Sequence, residues 1–127
     1  MDWHDAALGL AGVIGSGVAV GHGVLVQRLI VRPIGAAGAT HFSAPVRRLV
    51  PGLLQFSTFN WFICGLALIA ASAWLARDAR VAIGLLAGSS YLFGAVGNFW
   101  STRGRHPGWM LYAIALALIV FGLQGSS

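Results

Sequence analysis

Four long apolar runs, separated by short linkers rich in arginine and glycine, constrain this chain more than any other feature. The runs extend over about 6–27, 49–76, 81–100 and 107–124. A helix needs about 20 predominantly apolar residues to cross a bilayer, and each run is close to that length. None of them alternates between polar and apolar residues as a barrel strand would. The sequence therefore predicts an all-α fold, a single integral membrane bundle of four transmembrane helices over residues 1–127.

The composition also favours a membrane environment. Hydrophobic residues make up 57% of the 127 residues and charged residues only 9%, whereas about a quarter of a soluble domain is charged. So few charges cannot solvate the surface of so apolar a globule, while lipid is itself an apolar solvent. The formal net charge is +5, and every basic residue is an arginine. Because these arginines lie in the gaps between apolar runs, they indicate membrane topology and not nucleic-acid binding.

The linkers predict where the helices begin and end. The longest linker is expected over 32–48, where Ser43 is placed to cap a helix and Pro45 lies in its first turn. Pro51 is expected either to kink the second span or to begin it. The polar segment 77–80 is predicted to be a tight turn between the second and third spans.

The arginine distribution predicts how the chain lies in the membrane. In a four-span protein, linkers one and three share a side, and they hold six of the eight arginines. These six are predicted to face the cytoplasm and to contact lipid headgroups: Arg28, Arg32, Arg47, Arg48, Arg103 and Arg105. Both termini are then expected to face outward. Tryptophans near the ends of the spans are expected to form an interfacial belt, and only Trp61 lies in the middle of a span.

His22 is the one ionisable side chain with a charge change near neutral pH that is predicted inside the membrane. The spans hold no Asp, Glu, Lys or Arg away from their ends. At about 100° per residue, His22 shares a helix face with Ala11, Gly15 and Ala19, which are small residues typical of helix packing. Its side chain is therefore expected to point into the bundle. A proton relay or metal ligand is one interpretation, and a neutral imidazole that hydrogen-bonds a neighbouring helix is the favoured one.

Polar side chains on the second and third spans complete a candidate site. They recur at helical spacing, so those of each span share a face. The candidate intramembrane site comprises His22, Gln55, Ser57, Thr58, Asn60, Tyr91 and Asn98. These groups would either line a path for a solute or link helices by hydrogen bonds, and linking is the commoner role in membrane bundles. The pairs Gly17–Gly21 and Gly84–Gly88 have the small-residue spacing of helix dimers.

No arrangement typical of a catalytic centre occurs in the sequence. It has no carboxylate pair, no serine–histidine–acid set, no phosphate-binding glycine loop, and one cysteine, Cys64. We therefore expect no catalysis, no cofactor and no bound metal. The leading hypothesis is a non-enzymatic subunit in the lipid bilayer that associates with itself or with a larger membrane complex. The alternative is a small dimeric channel or transporter whose polar path runs through the second and third spans.

Two further stretches, at the end of the first span and before the last one, follow a recognisable pattern. The first is Gly21-His22 followed by Leu25, Arg28, Arg32 and Pro33. The second is the segment 102–109, which reads Thr-Arg-Gly-Arg-His-Pro-Gly-Trp. Both resemble the corresponding parts of small four-helix bacterial inner-membrane proteins, and the resemblance covers most of the chain. It implies a four-helix architecture and a multi-pass location in the bacterial inner membrane, without a particular activity.

Overall fold

The computed structural model describes residues 1–37 and 41–125, and every regular element in these ranges is a helix. The helices are α1 (Trp3–Val26), α2 (Arg32–Ala37), α3 (Ala44–Trp74), α4 (Arg77–Thr102) and α5 (Gly108–Gln124). A π-helical turn, Gln27–Val31, joins α1 to α2 without a break. Three helices, namely α1 with its extension, α3 and α4, are long and apolar enough to cross a membrane, and α5 is a shorter apolar helix. The prediction of an all-α chain with four main helices is confirmed.

The first helix continues into the predicted linker, which corrects one sequence-based boundary. The linker expected over 32–48 is shorter because α2 occupies its first six residues. Pro33 has no backbone N–H, and in a regular α-helix its ring would clash with the carbonyl of Leu29. The π-helical turn widens the helix at this point, since the Arg32 N–H bonds to the Gln27 carbonyl five residues back. The chain can therefore keep a helical path past the proline.

α3 begins close to the expected position and runs as one helix. Ser43 precedes its first residue in an extended conformation, but the Ser43 side chain makes no capping hydrogen bond. Pro45 lies in the first turn, where a backbone N–H would lack a helical partner in any case. Pro51 lies inside α3 and does not end it. Because Pro51 is only two turns from the start of α3, the long C-terminal part of the helix keeps its hydrogen bonds.

The segment 77–80 is not a turn, contrary to the sequence-based prediction, because it forms the first turn of α4. The chain reverses instead at Leu75 and Ala76, whose ψ angles of 148° and 163° are extended. Arg80 stabilises this reversal. Its side chain donates to the Leu75 carbonyl at 2.8 Å and to the Ser72 carbonyl at 3.2 Å. These carbonyls lie at the end of α3, where no backbone N–H of the same helix is available to donate to them.

The same arginine joins α4 to the beginning of α1. Arg80 forms an ion pair with Asp5, the third residue of α1. Asp2 caps α1, since its carboxylate accepts the backbone N–H groups of His4 and Asp5 at 2.9 Å each. The Asp5 N–H, and to a lesser extent that of His4, holds the pKa of Asp2 below its usual range. His4 Nδ1 lies 2.9 Å from the Phe121 carbonyl, so α1 begins beside the end of α5.

The four main helices form a bundle in which each packs most extensively against two neighbours. α1 packs against α3 and α5, and α4 packs against the same two helices, so α1 and α4 face each other diagonally. Glycines allow α1 and α3 to approach closely, because a Cβ on Gly12 would lie 2.5 Å from the Gly65 carbonyl oxygen. The pair Gly84–Gly88 faces leucine side chains of α5. A Cβ on either member of Gly17–Gly21 would meet no atom within 4 Å in the described part of the chain.

Candidate functional site

An aromatic cluster occupies the middle of the bundle, and each main helix contributes one ring to it. Trp61 of α3, Tyr91 of α4 and Tyr112 of α5 are buried, and His22 of α1 is half-buried. The ring centroids of Trp61 and Tyr112 are 4.8 Å apart, and those of Tyr91 and Tyr112 are 5.1 Å apart. His22 meets Trp61 edge-on, with centroids 4.7 Å apart. Tilted and edge-on contacts of this kind are favoured between aromatic rings. Because each ring comes from a different helix, the cluster joins all four helices.

His22 lies on the face of α1 that points into the bundle. Ala11, Gly15 and Ala19, which share this face, are all buried. His22 Nε2 lies 3.3 Å from Ser57 Oγ on α3. The imidazole thus links α1 to α3 while its ring contacts the aromatic cluster. This is the geometry that a hydrogen-bonding histidine between helices requires.

Hydrogen bonds join α3 to α4 beside the aromatic cluster. The Tyr91 hydroxyl donates to the Trp61 carbonyl at 3.2 Å, and the Trp61 indole N–H donates to the Ser90 carbonyl at 3.2 Å. Asn60 Nδ2 donates to Ser90 Oγ at 2.5 Å. Asn60 and Tyr91, both residues of the candidate site, therefore use their polar groups to link two helices.

Gln55 and Thr58 of the candidate site attach α3 to the end of α1. Gln55 Nε2 donates to the Gly23 carbonyl at 3.0 Å and lies 3.5 Å from Gln27 Oε1. The Thr58 hydroxyl donates to Gln55 Oε1 at 2.9 Å, which orients the amide. A Cβ on Gly23 would lie 2.6 Å from Thr58 Cγ2, so this close approach of α1 and α3 depends on a glycine.

A cavity of about 280 Å³ lies between α1 and α5, next to His22. Its polar walls are His22, Asn98 and His106, and apolar residues such as Leu25 supply the rest. A second cavity, of about 180 Å³, also has His22 and Asn98 in its walls, together with Trp61. The Asn98 amide donates to a carbonyl one turn earlier in α4 at 2.8 Å. His22 and Asn98 are thus the candidate residues that border both of these spaces.

His106 is a cavity residue that sequence reasoning assigned only to a linker. It follows a reversal at Arg103 and Gly104, whose φ angles of 52° and 74° give the left-handed ending common at helix C-termini. The reversal returns the linker to the bundle, where His106 shares a cavity with His22. His106 Nδ1 accepts the Gly108 N–H at 3.1 Å, so in the neutral ring Nε2 carries the proton. The Arg-Gly pair was the signal in the sequence for such a return.

Tyr112 is the second cavity residue that the sequence-based site omitted. It belongs to the aromatic cluster and also forms part of the 280 Å³ cavity wall. Its hydroxyl is buried and has no hydrogen-bond partner among the residues that the structure describes.

Within those same residues, no three His, Cys, Asp or Glu side chains lie together as a metal site would need. The arrangement is suited to hydrogen bonding and to apolar contact.

Comparison of the chain with protein-family models, with curated proteins and with solved structures found no match. The resemblance to small four-helix bacterial inner-membrane proteins thus stays a sequence-based expectation.

The role of His22 is tested by replacing it with glutamine and with leucine. His22→Gln keeps a polar group that can reach Ser57, so the melting temperature in mild detergent should stay near that of the wild type. His22→Leu leaves the Ser57 hydroxyl without its partner and should lower the unfolding free energy by about 1 kcal/mol. A double-mutant cycle with Ser57→Ala isolates the hydrogen bond. If glutamine destabilised the bundle as much as leucine, the ring itself, and not its hydrogen bond, would be the essential feature.

Proposed function

We propose that the chain is a multi-pass membrane protein whose four main helices cross the bilayer. The length and apolar character of three helices support this location. With 17 residues at about 1.5 Å each, α5 would extend over about 26 Å, close to the bilayer hydrocarbon thickness of about 30 Å. Large apolar side chains also face outward, as at Leu53 and Phe93, which are 71% and 78% exposed. Such a surface is unfavourable in water and compatible with lipid.

The proposed orientation puts the arginine-rich end in the cytoplasm and both termini outside, in a bacterial inner membrane. The six arginines of linkers one and three are exposed, and they lie at the end of the bundle opposite the Asp5–Arg80 ion pair. Exposed tryptophans at both ends support an interfacial belt: Trp3 and Trp74 at one end and Trp100 at the other.

Single-cysteine labelling in intact cells tests this orientation. With Cys64 replaced by alanine, a membrane-impermeant maleimide should label Asp2→Cys and leave Arg105→Cys unlabelled. The second substitution leaves five arginines on the proposed inner side, so the topology signal should persist. Labelling of Arg105→Cys but not of Asp2→Cys would show that the orientation is opposite to the proposed one.

The proposed activity is that of a non-enzymatic subunit which associates with itself or with a larger membrane complex. One observation carries this proposal: the polar groups of the candidate site bond inside the bundle, as at Gln55, Asn60 and Tyr91, while the outer surface is apolar. That outer surface includes the open pair Gly17–Gly21. In lipid, small residues let a neighbouring helix approach closely, and packing of this kind drives association.

Purification in mild detergent tests the proposed association. Light scattering and native mass spectrometry should detect a stable oligomer of this chain, or a defined complex with other membrane proteins. Gly21→Leu should weaken that assembly, because the added side chain holds a partner helix away. Gly52→Leu, another open glycine, is the matched control and should assemble normally. A monomer that persists at every protein concentration, with no companion protein, would contradict the proposal.

A small dimeric channel or transporter is the second candidate function, and the two cavities at His22 and Asn98 favour it. Histidines inside a membrane commonly lie on ion or proton paths. Proteoliposomes that contain a pH-sensitive dye would test proton conduction directly. A proton flux that His22→Gln abolishes, without loss of folding, would favour this function over the structural one.

A further inference from the structure

A groove beside the π-helical turn is the most informative unassigned surface of the molecule. It lies between the end of α1 and α3, has a volume of about 420 Å³, and is bordered by Arg28 and Arg32. Its other walls include the amides of Gln27 and Gln55 and the side chain of Val24. We propose that this groove, called the π-turn groove below, binds the headgroup of one anionic phospholipid. The inference rests on the proposed membrane location of the helices.

The charge distribution favours an anionic occupant. Arg28 and Arg32 are exposed, whereas all three carboxylate side chains of the chain, Asp2, Asp5 and Asp78, lie at the opposite end of the bundle. Neither arginine therefore has an acidic side chain near it in the described part of the chain. A guanidinium can bind a phosphate through two parallel N–H···O bonds. Two guanidiniums on one groove can thus hold a phosphodiester from two directions.

The groove becomes less polar from its arginines toward the middle of α1, which matches the change from headgroup to acyl chain in a phospholipid. The two arginines lie at the end of the apolar run of α1. The amides of Gln27 and Gln55 line the groove next to them. Val24 and Val20 line the part of the groove that extends toward the middle of α1. The two valines are 46% and 55% exposed and form an apolar surface. A phosphate bound at the arginines would place its ester groups beside the amides and an acyl chain along the valines. Basic pockets between helices on the cytoplasmic side are typical sites for anionic headgroups.

The walls of the π-turn groove are held in position by the bundle itself. Gln55 bonds to the Gly23 carbonyl at 3.0 Å and accepts the Thr58 hydroxyl at 2.9 Å. Arg28 lies on the π-helical turn, and π-helical turns within longer helices often occur at functional sites. Pro33 maintains this turn, because its ring excludes regular α-helical geometry. A groove organised in advance loses less entropy when a ligand binds.

Native mass spectrometry of the purified chain with phosphatidylglycerol and with phosphatidylcholine tests the inference. The wild type should retain one phosphatidylglycerol in preference to phosphatidylcholine. Each arginine near an anionic lipid contributes about fivefold in affinity, so Arg28→Gln/Arg32→Gln should bind about 25-fold more weakly. The matched control Arg103→Gln/Arg105→Gln makes the same change in net charge at the same end of the bundle. It should bind phosphatidylglycerol like the wild type.

Equal loss of affinity in the two double variants would overturn the inference, since the attraction would then be general and not located in the groove. Displacement of the lipid by millimolar glycerol 3-phosphate would also overturn it, because the groove would then take soluble phosphate esters. If Arg28→Gln/Arg32→Gln does not fold, the lipid binding of Arg28→Lys/Arg32→Lys tests the site instead. Lysine keeps the charge but lacks the paired donors, so binding should be several times weaker, and unchanged binding would contradict the groove.

Carbonate extraction of cell membranes separates this inference from the proposed function. A chain that washes off the membrane would contradict the proposed location of its helices. A chain that stays embedded, but whose Arg28→Gln/Arg32→Gln variant keeps its phosphatidylglycerol, would contradict only the lipid site.

Discussion

Replacing Gly15 by leucine is expected to destabilise the bundle by about 3 kcal/mol or to prevent its assembly. Gly15 is buried in α1, and a Cβ at this position would overlap the hydroxyl group of Tyr91. Tyr91 is itself fully buried and donates to the Trp61 carbonyl, so it cannot move aside without losing that partner. Overpacking costs about 1–3 kcal/mol, and an unpaired buried hydroxyl adds about 1–3 kcal/mol.

Gly17→Leu is the matched control, since it makes the same substitution on the same helix two residues later. A Cβ on Gly17 would meet no atom within 4 Å in the described part of the chain, so this variant should unfold like the wild type. Reversible unfolding in mixed micelles measures both, at a dilution where the chain is monomeric, so that the proposed association at Gly17–Gly21 does not contribute. A Gly15→Leu variant as stable as Gly17→Leu would show that α1 does not pack on Tyr91.

Replacing Trp61 by alanine is expected to cost about 3 kcal/mol, because it removes the centre of the aromatic cluster. Trp61 is only 6% exposed, contacts the rings of His22 and Tyr112, and donates to a backbone carbonyl of α4. In water-soluble cores, loss of a buried tryptophan costs about 3–5 kcal/mol. In the proposed lipid environment the lower value is expected, because acyl chains are as apolar as the core and only packing and hydrogen bonding are lost.

Two comparison variants identify the source of this loss. Trp100→Ala removes a tryptophan that is 84% exposed, so its melting temperature should match that of the wild type. Trp61→Phe keeps a ring in the cluster and removes the N–H that bonds to the Ser90 carbonyl, so it should cost about 1 kcal/mol. If Trp61→Ala and Trp100→Ala melted at the same temperature, the cluster would have no stabilising role.

The helices and their packed faces could be predicted because each depends on local patterns. Long apolar runs predict helices in lipid, and the small residues Ala11, Gly15 and Ala19 predict the inner face of α1, where all three are buried. The boundaries at 32–48 and 77–80 could not be predicted in the same way. In the first, a π-helical turn accommodates Pro33, and in the second, Arg80 stabilises a two-residue reversal. Both depend on contacts that no periodicity encodes.

Local sequence patterns are sufficient to predict that the chain is all-helical and that polar side chains occur at particular positions within its apolar runs. Which of these groups pair, as His22 does with Ser57 and Asn60 with Ser90, depends on how the helices pack. Such pairs lie 35 and 30 residues apart in the chain, so their contact depends on the rotation and axial offset of neighbouring helices. Periodicity along one helix leaves both quantities undetermined. They are set by the closest backbone approaches, as at Gly12 and Gly65, which exist only once the bundle has formed.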